Sequence, residues 1–197
     1  MERRILDAAA ELFASQGYAA TSMEQVAEAC QAGKDTIYRR YASKGALFTA
    51  LMDRFRIQVQ DELAACTPDG GEPLQRLQRY ARTLLDINLR VQMVALNRVA
   101  LAEAVPSKGV QLTPSEQDPL MRRMAELVGQ AQAAGSLGEG DAFFMAEQLL
   151  YATSIRPLVA AMLGDARFSG QAAQQDYFDQ AWALFLQGAA CKGAGRR

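Results

Sequence analysis

Five side chains within seven residues, Lys34, Thr36, Tyr38, Arg39 and Arg40, combine three cations with a hydroxyl and a phenol, and Asp35 is the acid among them. Cations of this kind neutralise phosphate oxygens, whereas threonine and tyrosine hydrogen-bond base edges or pack on a thymine methyl. A charge cluster alone is more often a solvated face. The threonine and the aromatic inside this one point instead to a surface that reads nucleic acid. Ser43 and Lys44 follow at the start of another helical pattern. A helix N-terminus offers unpaired amides and a partial positive charge, and Lys44 adds a full one, so Lys44 is expected to be a phosphate anchor. Thr21 and Ser22, at the mouth of the preceding helix, complete the candidate DNA-binding set.

The elements that must hold these residues can be read from periodicity. Thr21 stands three residues before Glu24, the spacing of a capping box, so a helix is expected to open at Ser22. Met23, Val26, Ala27 and Cys30 share one face of it at i, i+3, i+4 and i+7. Gln31, Ala32 and Gly33 form a short break, with Gly33 the expected N-cap of the next helix, and only Ile37 and Tyr41 of that helix face inward. Two short helices across so tight a turn make a helix-turn-helix. Upstream, Ile5, Ala9, Leu12, Phe13 and Gln16 form the stripe of a helix that Gly17 closes. Downstream, Leu47, Phe48, Leu51, Met52, Phe55, Val59 and Leu63 describe a long helix capped by Ser43.

These residues resemble the tetracycline-repressor (TetR) family of bacterial one-component regulators. The resemblance spans residues 5–52 and is carried by AAAELFASQGYAATSMEQVA, TIYRRY and SKGALF. Three positions depart from the usual pattern: Gln31 where the turn usually has glycine, Glu24 where a basic residue is common, and Gly45 where glutamate is common. Gln31 must then adopt a backbone conformation that costs a non-glycine residue.

Composition is consistent with such a chain. The 197 residues are 50% hydrophobic with a formal charge of -1, yet residues 34–56 hold six bases (Lys34, Arg39, Arg40, Lys44, Arg54, Arg56) against Asp35 and Asp53. Positive charge is local, as specific docking requires. There is no histidine, and the three cysteines, Cys30, Cys66 and Cys191, are widely spaced. Zinc-finger spacing and Ser-His-Asp or Cys-His catalysis are thereby excluded, and glycine-rich phosphate or dinucleotide loops are missing. No catalytic residue, metal site or cofactor is expected. Cys30 reads as core, with redox sensing by Cys66 or Cys191 left open. No apolar run approaches the roughly twenty residues that span a bilayer, so a cytoplasmic protein without membrane association is expected.

The expected architecture is all-α: a three-helix helix-turn-helix domain over residues 1–48, joined by the long helix to a helical effector-binding and dimerisation domain over residues 49–191, with a disordered tail at 192–197. The breaker-rich CTPDGGEP precedes helical patterns at 74–87, 91–105, 120–134, 142–163 and 171–190, with a loop at 106–119. The family resemblance implies an effector pocket in this domain, for which Tyr80, Met93, Asn97, Met121, Met124, Tyr151 and Arg156 are candidates as adaptable apolar walls with a few polar groups. Pro157 interrupts the 142–163 helix and should leave carbonyls free for a ligand or side chain. The last two helices are apolar on more than one face, and the resemblance implies that they form a homodimer interface, with Leu149, Leu158, Phe178, Trp182 and Phe185 as candidates.

The expected function is a homodimeric repressor on a near-palindromic double-stranded DNA operator, with half-sites about one helical turn, roughly 34 to 36 Å, apart or a multiple of it. A small, lipophilic effector would release it. An effector-independent regulator or activator, or a helical ligand-binding protein with a vestigial DNA-binding head, are the alternatives.

Overall fold

The periodic patterns become α-helices throughout. The computed structural model describes residues 1–68, 70–104 and 117–189. Its helices are α1 (Glu2–Gln16), α2 (Met23–Ala29), α3 (Lys34–Arg40), α4 (Lys44–Cys66), α5 (Pro73–Asn88), α6 (Val91–Ala104), α7 (Pro119–Ala133), α8 (Ala142–Leu150), α9 (Arg156–Met162) and α10 (Gln171–Ala189). A π-helical turn, Tyr151–Ile155, joins α8 to α9. Cys191 and the tail at 192–197 lie outside the described residues, as does nearly all of the expected 106–119 loop; Pro119 itself opens α7 behind the Asp118 N-cap. Among the described residues, no helix is long and apolar enough to cross a membrane.

The chain folds as two compact units, residues 1–59 with 90–110 and residues 60–89 with 111–197. This division differs from the expected boundary after residue 48. The first unit keeps the first sixteen residues of α4 and takes in α6, because Leu96 and Val99 of α6 are buried in the same core as Ile5, Phe13, Val26, Ile37, Leu47 and Leu51. Fully burying side chains of this size stabilises a fold by about 1.5–3 kcal/mol each. Phe13, Tyr18 and Phe48 close one end as an aromatic trio, with centroids 5.3, 5.4 and 5.7 Å apart in tilted and edge-to-face contacts.

Side chains cap the starts of α2 and α4 in this unit. Gly17 ends α1 at φ 84°. The capping box of α2 lies one residue beyond its expected place: Ser22 Oγ accepts the Gln25 N–H at 3.1 Å, and Gln25 Oε1 accepts the Ser22 N–H at 2.7 Å. Thr21 is displaced from capping because the turn after α1 folds it inward, where its hydroxyl donates to the Gly17 carbonyl at 2.8 Å. Gln31 takes φ 51°, the strained turn expected of it. Gly33 caps α3, and Ser43 Oγ accepts the Ala46 N–H at 3.1 Å to start α4.

In the second unit, α5 opens on Glu72, whose carboxylate accepts the Leu74 and Gln75 amides. Its face of Leu77, Tyr80, Ala81, Leu84 and Leu85 is buried, as are Met121, Met124, Leu127 and Val128 of α7. Pro157 has the consequence its position implied. In a π turn each amide reaches five residues back, and the Arg156 N–H accordingly bonds the Tyr151 carbonyl. Pro157 lacks the amide that would reach Ala152, and that carbonyl accepts the Tyr177 hydroxyl of α10 instead, at 2.6 Å. A side chain, not a ligand, fills the gap. Tyr177→Phe should therefore lower stability by about 1 kcal/mol by leaving a part-buried acceptor without its partner, read as a lower denaturant midpoint with an unchanged m-value.

Candidate nucleic-acid interface

α3 presents one buried side chain and a charged exterior. Ile37 is fully buried, while Lys34, Asp35, Tyr38, Arg39 and Arg40 are exposed and Thr36 is half-buried. Tyr41 follows, buried, with its hydroxyl unpartnered; burial pushes its phenol pKa up. The seven-residue helix thus lies on its core by one anchor and turns Lys34, Thr36, Tyr38, Arg39 and Arg40 away from it. Arg40 is paired with Glu2 of α1 at 3.2 Å, and Arg39 makes no ion pair or hydrogen bond among the described residues. Lys34 lies 2.6 Å from a Glu24 carboxylate oxygen, which also accepts the Tyr38 hydroxyl at 3.4 Å. The hydrogen bond from Lys34 holds the Glu24 carboxyl below its usual pKa, and the same bond raises that of Lys34.

Two members of the expected set do other work. Thr21 is only 2% exposed and is occupied with Gly17 and with Gln16, whose amide donates to its hydroxyl at 3.2 Å. Lys44 is half-buried; its ammonium donates to the carbonyls of Tyr18, Thr21 and Ala19 at 2.8, 2.9 and 3.4 Å and lies 4.4 Å from the centre of the Tyr18 ring. An ammonium has three donors, and all three are committed to the turn after α1. Ser22 is half-buried, with its hydroxyl in the capping box. Arg4 reaches the Cys30 carbonyl at 2.7 Å and ties α1 to the end of α2. The carbonyl contacts of Lys44 and Arg4 have no sequence signal, because their partners are backbone atoms of residues more than twenty positions away.

The expected effector residues are divided between the units. Tyr80, Met121 and Met124 are buried in the second, where the Tyr80 hydroxyl donates to the Leu120 carbonyl at 3.0 Å and burial raises its pKa. Tyr151 and Arg156, in the same unit, are exposed. Met93 and Asn97 belong to the first unit, where the Asn97 amide donates to the Met93 carbonyl at 2.8 Å. A part-buried polar pair that periodicity does not reveal lies in the second unit: the half-buried Asn88 amide donates to Ser154 Oγ, fully buried on the π turn, at 2.7 Å.

Of the residues expected at a dimer interface, Leu149, Leu158, Phe178 and Trp182 are buried in the chain's own core, and Phe185 is half-buried. Phe178 and Trp182 stack there at 6.2 Å. The apolar surface left outside is carried by their neighbours, Phe144 on α8 at 58% exposure and Leu184 on α10 at 70%. Both line a groove of about 890 Å³ with Met145, Ala152, Phe185 and Gly188.

Known proteins match both parts of the chain. The family profile described as "Bacterial regulatory proteins, tetR family" matches residues 5–51, and that described as "AefR-like transcriptional repressor, C-terminal domain" matches residues 75–188. An HTH-type transcriptional regulator of Mycobacterium tuberculosis is 34% identical over 94 residues, 48% of this chain and 44% of that protein, so the match spans less than half the length of that relative. A TetR-family regulator structure from Mesorhizobium loti superposes with a TM-score of 0.76 at 24% identity, over 96% of both chains. The flavonoid-responsive regulator FrrA superposes with a TM-score of 0.63 at 24% identity, over 98% of both.

Proposed function

The chain belongs to the TetR family of bacterial regulatory proteins, and from that premise we propose that this DNA-binding transcriptional regulator is a homodimeric repressor released from its operator by a small lipophilic effector. The observation that carries the reading is the outward face of α3, where Lys34, Thr36, Tyr38, Arg39 and Arg40 surround the single buried anchor Ile37. Lys34, Arg39 and Arg40 supply phosphate contacts, and Thr36 and Tyr38 supply base-edge and thymine-methyl contacts. Thr21 and Lys44 support the surface from within, and Ser22 holds the start of α2.

Two such faces, related by a two-fold axis, read a near-palindromic operator. The groove with Phe144 and Leu184 at its lips is the surface that pairs the subunits. The effector enters the second unit, whose interior of Tyr80, Met121 and Met124 suits an apolar, aromatic guest of the kind the name of the flavonoid-responsive regulator implies. α4 contributes residues to both units and is the element through which occupancy is transmitted. By linkage, operator DNA must weaken effector binding by the same factor as effector weakens operator binding.

The test is fluorescence anisotropy on duplexes tiling the DNA upstream of the gene, at two salt concentrations. Saturable binding to one duplex, weakened by salt, is expected, and Tyr38→Ala should weaken it about tenfold through lost base contacts. Equal, weak and sequence-blind binding by both proteins would overturn the reading.

A further inference from the structure

Besides Asp35, the reading face carries a second anion, Glu24 of α2, which is bonded to two of the groups that face is expected to offer to DNA. Glu24 lies in the first turn of α2, outside its buried stripe. Its carboxylate is 2.6 Å from Lys34 Nζ and accepts the Tyr38 hydroxyl at 3.4 Å, and Lys34 Nζ is 5.8 Å from the centre of the Tyr38 ring. The Glu24 and Lys34 side chains are 51% and 59% exposed, so water surrounds the pair and its closed form is favoured by about fivefold or less. An ammonium neutralised by a carboxylate carries no net field outward, and a free carboxylate beside it repels phosphate. Lys34 has donors left over for a phosphate, but a phosphate gains the full charge of the ammonium only when Glu24 lets go of it.

Resting on the reading of this face as operator-binding, we propose that Glu24 is an internal competitor for phosphate that suppresses sequence-independent DNA binding and so sharpens operator choice. Loose encounters with arbitrary DNA rest almost wholly on cation–phosphate attraction. In them the Glu24–Lys34 pair stays closed, and each head engages DNA with one cation fewer. On the operator, the base contacts of Tyr38 and Thr36 hold the head close, Tyr38 leaves Glu24 for a base edge, and Lys34 passes to the backbone. Glu24 is thus a specificity-determining residue acting through Lys34 and Tyr38.

Glu24→Gln keeps the shape and removes the charge. On a mixed-sequence duplex it should tighten binding about three- to tenfold at low salt and steepen the plot of log affinity against log salt by about 0.9 per head. Operator affinity should rise less, so the ratio of operator to arbitrary-duplex affinity falls. Glu24→Gln combined with Lys34→Gln should return the slope to the wild-type value, because the released cation is Lys34. An unchanged slope in Glu24→Gln, with DNA binding intact, would overturn the proposal and leave the operator-binding reading standing. A higher ratio would do the same. No DNA binding by wild type or variant at the lowest salt would overturn both.

Discussion

Leu184→Glu should convert the protein to monomers and lower its operator affinity at least about a hundredfold, the scale on which a linked second binding event adds avidity. Leu184 is 70% exposed on α10 and, with Phe144 at 58% on α8, lies along an apolar groove of about 890 Å³. Large apolar groups so placed are covered when a second copy meets the same face across a two-fold axis. A glutamate there is either buried without a partner, which costs several kcal/mol, or keeps the surfaces apart. Because Leu184 is exposed in the single chain, the fold of each chain is untouched, and far-ultraviolet circular dichroism should be unchanged. Sedimentation velocity reads the dimer and anisotropy reads the operator. A variant that stays dimeric places the interface elsewhere.

Lys44→Met should lower stability by about 2 kcal/mol, a fair value for losing charge-assisted hydrogen bonds to part-buried carbonyls. The methionine keeps the apolar stem but abandons the carbonyls of Tyr18, Ala19 and Thr21 and the face of the Tyr18 ring. That turn joins α1 to α2, so the loss loosens the reading head. If Lys44 served as a phosphate anchor instead, the variant would melt as wild type and its DNA binding would lose about 0.9 of salt slope per head. The expected result is the reverse: a lower melting temperature, and an unchanged slope measured well below it.

Much of the head was legible along the chain because its signals are local. Helix periodicity, the Gly17 and Gly33 caps, the Ser43 cap and the left-handed Gln31 all depend on residues within about one turn of each other. The outward set on α3 followed once Ile37 was recognised as its anchor. The capping box slipped by one residue because Thr21, Ser22, Glu24 and Gln25 offer two boxes of equal spacing, and the choice fell to Gly17 and Gln16, which draw Thr21 inward.

The second unit was legible in outline and not in detail. α8 and α10 carry apolar residues on more than one face, so periodicity could not say which face the chain buries for itself. Packing buried Leu149, Leu158, Phe178 and Trp182 and left Phe144 and Leu184 outside. α6 reads as one more helix of the C-terminal run, yet Leu96 and Val99 join the core of the head. The order of residues thus specified the helices, their caps and the chemistry of the α3 surface, since each is set by neighbours in sequence. Folding in three dimensions decided that Lys44 serves carbonyls, that Glu24 holds Lys34, that Tyr177 answers the carbonyl Pro157 frees, and which apolar face stays open. Those outcomes depend on distances between groups ten or more residues apart, which no local pattern encodes.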